Sequence, residues 1–219
     1  MNLVIKFPTR GRPDKFISVL DTYIAKAQGD IKIIVSCDTD DITMNNYDMI
    51  ARLELYSNVE LNFSDNKTKI EAVNNNLADV DFDILLLASD DMIPIEDGYD
   101  LLIKKAMLKC YPDLDGVLWF NDGHQGMKMN TLSIMGKVYY DRFGYLYHPS
   151  YTALWCDTEF MDVANILEKQ TYFNRVIIEH QHPDWGFAIK RDEIHQANAD
   201  YNSIDRENYI ARKLRNFDL

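Results

Sequence analysis

The stretch from Leu3 to Asp41, LVIKFPTRGRPDKFISVLDTYIAKAQGDIKIIVSCDTDD, decides the fold. Its first apolar run, Leu3 to Phe7, is too short for a buried helix and reads as a strand. Phe16, Leu20, Tyr23, Ile24 and Ala27 then recur at helical spacing, with Pro13 at the start and Gly29 near the stop. Ile31 to Ser36 is a second strand-like run. The same alternation continues through a helix over 44–56, a strand from Val59 to Phe63, a helix over 67–77 and a strand from Ile84 to Ala88. Strands alternating with helices in this rhythm predict an α/β fold with a mainly parallel sheet covered on both faces.

Beyond Pro94 the pattern predicts a helix over 99–109 and a strand from Gly116 to Phe120, and then it fails. Residues 121–151, rich in turn residues, Met and Tyr, fit a loop followed by a β-hairpin or irregular layer. A helix over 159–169 and a strand over 175–179 follow. The tail from Arg191 is polar, but Tyr209, Ile210, Leu214 and Phe217 give its end a helical stripe suited to packing on the body. There is no internal repeat and no linker-like segment, so residues 1–219 read as one domain with an elaborated second half.

With 47% hydrophobic and 26% charged residues, the composition is that of a globular protein and excludes disordered, collagen-like and coiled-coil chains. Acidic residues outnumber basic ones 35 to 23, a net charge of −12, which repels phosphate backbones and anionic membranes; no stable nucleic-acid binding is expected. Cys37, Cys110 and Cys156 form neither a disulfide framework nor a zinc motif. The N-terminus lacks the apolar core of a signal peptide, and no apolar run approaches the roughly 18 residues of a membrane span, so a soluble cytoplasmic protein is expected.

In a doubly wound sheet, ligands bind beyond the carboxyl ends of the strands. The four expected strands of the first half are followed by PTRGRP, CDTDD, SDNKTK and SDDM, all of them charged. Arg10 and Arg12 offer guanidinium forks for phosphate or a base carbonyl. Lys67 and Lys69 fall in the expected first turn of a helix, where a bound anion would offset the macrodipole. Asp90 and Asp91 are adjacent carboxylates after a buried strand; their repulsion is relieved by a divalent cation, or they are the cap of a turn. There is no GxGxxG, no GxxxxGK[ST] and no GxSxG. This disfavours a dinucleotide-binding unit, a P-loop and a hydrolase elbow, and leaves a nucleotide held by metal and arginines.

FPTRGRP, the strand ending in Asp38, NKTKIEAVN and the strand ending SDDM together resemble the nucleotide-sugar-binding half of GT-A glycosyltransferases of the inverting, family-2-like type. The resemblance implies a GT-A α/β/α sandwich with a small acceptor-side β layer. Residues 1–93 would bind the nucleotide-sugar, and residues 94–219 the acceptor, with a helical tail. It implies an enzyme of hexosyltransferase type, dependent on Mn²⁺ (or Mg²⁺), moving a sugar from a nucleotide diphosphate donor, a UDP-sugar, to a hydroxyl acceptor. Pro8, Thr9, Arg10, Arg12 and Asp38 would hold the nucleoside, and Lys67 and Asn74 would close on the donor. Ser89, Asp90 and Asp91 match the DxD position, with Asp91 on the metal. In WCDTEF, Asp157 stands where the family carries its base, with Glu159 second; the plain alternative is an N-cap Asp and first-turn Glu. His180 and His182, two apart after an apolar strand, resemble the histidine that completes the metal shell, and spacing does not choose between them. A sugar-phosphate nucleotidyltransferase is a second reading, against which the missing GGxGTR-like opening counts. A non-catalytic nucleotide- or carbohydrate-binding module is a third.

Overall fold

The alternation of the first half folds as its pattern dictates. In the computed structural model, which describes residues 1–182 and 193–219, strands β1 (Leu3–Pro8), β2 (Ile31–Asp38), β3 (Val59–Ser64) and β4 (Ile84–Leu87) run parallel in the order β3-β2-β1-β4. Helices α1 (Pro13–Lys26) and α2 (Tyr47–Leu53) cover one face. Helix α3 (Lys69–Asn74) covers the other. The change of face follows from the strand order: the chain walks outward from β1 to β3 and then returns to β4 on the far side of β1, and a right-handed crossover in the reverse direction must pass over the opposite face. β1 and β4 therefore flank the topological switch point.

The second half extends the same sheet. After the short strand β5 (Met92–Pro94) and helix α4 (Tyr99–Cys110), β6 (Val117–Phe120) and β7 (Ile134–Gly136) enter it. Helices α5 (Lys137–Asp141) and α6 (Cys156–Ile166) then lead to the edge strand β8 (Gln170–Phe173). The seven-stranded order is β3-β2-β1-β4-β7-β6-β8, in which β7 alone runs antiparallel to its neighbours. β5 pairs with β9 (Ile178–His180) in a separate antiparallel ribbon. Helices α7 (Glu193–Asp200) and α8 (Asn202–Leu214) and a 3₁₀ turn (Asn216–Asp218) close the chain; residues 191 and 192 of the expected polar tail lie outside the described residues.

Alternate residues of the buried strands feed two cores. Leu3, Ile5 and Phe7 pack with Phe16, Leu20 and Tyr23 of α1 and Tyr99 and Ile103 of α4. Val4, Ile34 and Leu85 pack with α3, α5, α6 and Tyr209 of α8. Three expectations are corrected. Residues 121–151 hold no hairpin: β7 pairs with β4 and β6, and α5 follows at once. β8 falls between the helix expected over 159–169 and the strand expected over 175–179, which itself forms only from Ile178 as β9. In the tail, Tyr209 and Phe217 are buried as expected, but Ile210 and Leu214 face solvent, because α8 docks through Asp205, Tyr209 and Arg212.

Candidate active site

The charged loops meet at the switch point. Between β1 and α1, Gly11 adopts φ +68°, a conformation glycine reaches without steric cost, and its N–H donates to Asp41 Oδ2 at 2.8 Å. Asp41 is itself buried and accepts from Thr43 N and Thr43 Oγ1, which ties the PTRGRP loop to the loop after β2. Arg12 then reaches across the crevice: its Nη1 donates to Asp90 Oδ1 at 2.9 Å, with Lys15 Nζ 3.4 Å from the same oxygen. Asp90 is thus the buried counter-ion of two cations on the α1 side.

At the mouth of β2, Asp38 Oδ2 accepts from Arg10 Nη1 at 2.6 Å and Oδ1 from Asn66 Nδ2 at 2.8 Å. Arg10 also bridges to Asp40, and that contact lowers the carboxyl of Asp40 below its ordinary range. Thr9, next to Pro8 at the end of β1, has a buried Oγ1 with no hydrogen-bond partner among the described residues.

The ribbon β5–β9 supplies the last component. Its register sets Met92 opposite His180, and Gln181 N donates to Asp91 O at 2.7 Å. His180 Nε2 consequently stands 3.5 Å from Asp91 Oδ2, both side chains about 10% exposed, while Ser89 Oγ donates to Asp91 Oδ1. Burial opposes ionisation of Asp91, but the His180 contact, the Ser89 hydroxyl and nearby Lys15 outweigh it and hold the carboxyl well below the usual carboxylate range. His182 packs edge-on to His180, ring centroids 5.9 Å apart. Among the described residues, no three His, Cys, Asp or Glu side chains gather as a metal cage. The Asp91–His180 pair could offer a cation two ligands, its remaining positions being filled by water and phosphate oxygens.

The other expected residues divide. Asp157, in the first turn of α6, is half-exposed, and its Oδ1 accepts from Thr158 N at 2.8 Å. Glu159 is corrected as a candidate base. It is buried, bound to Arg212 through Nε–Oε2 (2.8 Å) and Nη2–Oε1 (2.9 Å), and accepts from Tyr151 OH at 2.6 Å, so both oxygens serve a structural ion pair. Lys67 precedes the helix instead of starting it: Thr68 is the cap, Lys67 Nζ pairs with Asp65 at 2.7 Å in solvent, and Lys69 is the first helical residue. Asn74 spends its amide on the backbone of the second half, donating to Tyr147 O at 2.7 Å and accepting from Leu146 N and Tyr147 N. Sequence reasoning passed over Lys15, Asp41 and Asn66. Lys15 lies in the first turn of α1, two residues after the PTRGRP loop, and Asn66 opens NKTK, and both positions were signals at hand.

No protein-family model matches the sequence, and no curated protein matches it. Solved structures do match. The mannosyltransferase PcManGT from Pyrobaculum calidifontis, in complex with GDP-Man and Mn²⁺, superposes with TM-score 0.65 over 84% of this chain and 58% of its own, at 12% identity. S. aureus TarS 1–349 in complex with UDP-GlcNAc gives TM-score 0.65 over 90% of this chain and 61% of its own, also at 12% identity. TarS 1–349 on its own gives 0.62 over 98% and 74%, at 13% identity. The chain spans about six-tenths of the length of the first two structures. No described helix is long and apolar enough to cross a membrane. At these identities the likeness speaks to architecture: the chain has the GT-A fold of these glycosyltransferases.

Proposed function

We propose that the chain is a glycosyltransferase that moves a sugar from a nucleoside diphosphate donor, a UDP-sugar, to a hydroxyl acceptor with inversion at the anomeric carbon. The observation that carries this reading is the pairing of Asp91 with His180 at the switch point, where the β5–β9 ribbon joins a carboxylate and an imidazole from distant parts of the chain. The donor set fits Mn²⁺, or Mg²⁺ with the imidazole less favoured. Bound there, the cation would neutralise charge on the diphosphate leaving group. PcManGT carries GDP-Man and Mn²⁺, and TarS carries UDP-GlcNAc, which supports the donor class.

The chain's own residues supply the rest. Asp38 and Asn66 form an acceptor–donor pair for a base edge, and Thr9 Oγ1, which has no partner among the described residues, gains one from the nucleoside. Arg12 and Lys15, partly compensated by Asp90, lend positive charge beside the diphosphate. Asp157 takes the proton of the acceptor hydroxyl as its oxygen bonds to the anomeric carbon and the nucleoside diphosphate departs with the electrons of the broken C–O bond. The test is UDP release from UDP-sugars with Mn²⁺, together with donor titration. Asp91→Ala and His180→Ala should each lose the Mn²⁺-enhanced donor affinity and the turnover. Asp157→Asn should keep donor affinity and lose about 10²- to 10⁴-fold in rate. Mn²⁺ response persisting in Asp91→Ala refutes the metal assignment.

A further inference from the structure

Helix α8 grips the segment leading into α6 with a polar face. Asn202, Asp205, Asn208, Tyr209 and Arg212 recur at three- and four-residue spacing, and all five bond to residues 150–162. Asp205 is 1% exposed, yet its carboxylate is fully used: Oδ1 accepts from Thr152 N at 2.9 Å, and Oδ2 from Ala153 N and Leu154 N, both at 2.8 Å. Asn208 Nδ2 donates to Ser150 O and Oγ. Trp155 Nε1 donates to Asn202 Oδ1 at 2.9 Å, and its ring lies 5.2 Å from that of Tyr209 and 6.0 Å from the Arg206 guanidinium.

What this grip holds is strained. Trp155 adopts φ +63°, ψ −10° at the cap of α6, and a bulky side chain in the left-handed region is an outlier. Such a conformation persists only where its surroundings over-determine it, and here they do so two residues before Asp157. A helix needing only to cover apolar surface would not bury a carboxylate on three backbone N–H groups; those three bonds fix the path of a loop. We propose that α8 is a clasp that holds loop 150–155 in the path aiming Asp157 at the acceptor, with Asp205 as its positioning residue. This rests on Asp157 being the base.

The bonds that make the clasp run to residues 150–162 and not to the 8–12 loop, Asp38 or the 89–91 segment, so it should govern turnover and not donor affinity. Displacing a reacting group by about 1 Å costs on the order of 10²-fold. Asp205→Asn keeps the shape but turns an NH₂ toward backbone donors. The assay uses the full chain, Mn²⁺ and UDP-glucose or UDP-N-acetylglucosamine, with water as acceptor. The water oxygen bonds to the anomeric carbon, UDP leaves with the electrons of the broken bond, and the proton passes to Asp157. Asp205→Asn should lose about 10- to 100-fold in kcat with donor Kd unchanged, and should add no further loss on an Asp157→Asn background. Should Asp205→Asn fail to fold, Asn202→Ala and Asn208→Ala, which remove only the contacts to Trp155 and to Ser150 at the rim of the clasp, should show the same split of kcat from Kd. Turnover of Asp205→Asn within twofold of wild type, or a loss that multiplies in the double variant, overturns the clasp and leaves the base standing. Normal turnover in Asp157→Asn overturns the parent reading and the clasp with it.

Discussion

Lys6 sits in the middle of β1 with no solvent exposure and, among the described residues, no ion-pair partner. Its Nζ donates to Ser36 Oγ and to Asn75 O, tying β1 to β2 and to the end of α3. Burial drives its pKa down from 10.5 to about 7, with Cys37 and Glu60 only partly opposing the shift. In the unfolded chain the amine keeps its ordinary pKa, so between pH 7 and 10.5 the unfolded state binds the extra proton and stability rises with pH; below pH 7 the full cost of a buried ammonium is present. Over the two units from pH 7 to 9, at 1.36 kcal/mol per unit, the gain is about 2.7 kcal/mol. Lys6→Met cannot show it. Urea unfolding of both proteins at pH 6 and pH 9 should therefore reveal a wild-type stability that climbs relative to the variant by about 2.7 kcal/mol, or roughly 5–11 °C in Tm for a chain of this size. Parallel pH profiles, differing by less than about 1 kcal/mol in slope over that range, would refute the assignment of a neutral amine to the folded sheet at pH 9.

The buried pair Glu159–Arg212 gives a second test: Arg212→Met strands a buried carboxylate and should cost about 3–5 kcal/mol in urea unfolding, whereas replacing both partners by Met should recover most of it. Failure of the double variant to recover would show that Arg212 matters for another reason, such as its bond to Phe217 O. Gly136→Ala places a Cβ 2.1 Å from the backbone oxygen of Leu114, so β7 and the turn before β6 must part; a loss of about 3 kcal/mol or more, read as a fall in Tm, is expected, and a neutral variant would show that this turn yields freely.

The parts of the molecule that announced themselves in the sequence are those in which one short-range pattern coincides with burial. β1, β2 and β4 are apolar runs because both faces of a central parallel strand are covered, and the charged loops after them were legible as soon as those runs were placed. β7 and β8 are short strands of three and four residues, the second at a half-buried edge, and neither carries a periodic signal. Hydrophobic periodicity misled on α8, whose docking face is Asp205 and Arg212 while Leu214 is solvated. Glu159 looked like a candidate base because its partner Arg212 is 53 residues away; no local pattern records a long-range ion pair. Lys6 was invisible for the opposite reason: a lone lysine within a strand usually points to water, and this one points into the sheet.

The β5–β9 ribbon joins segments about 90 residues apart in the chain. Closing so long a loop costs entropy before any contact repays it, and contacts of such sequence separation slow folding. A three-residue ribbon outside the main sheet has little with which to offset that cost. The junction of Asp91 and His180 is therefore expected to form late in folding and to open readily. Whatever ties those two side chains together acts as a rivet through the two ends of a long loop, so anything bound between them stabilises the ribbon as well.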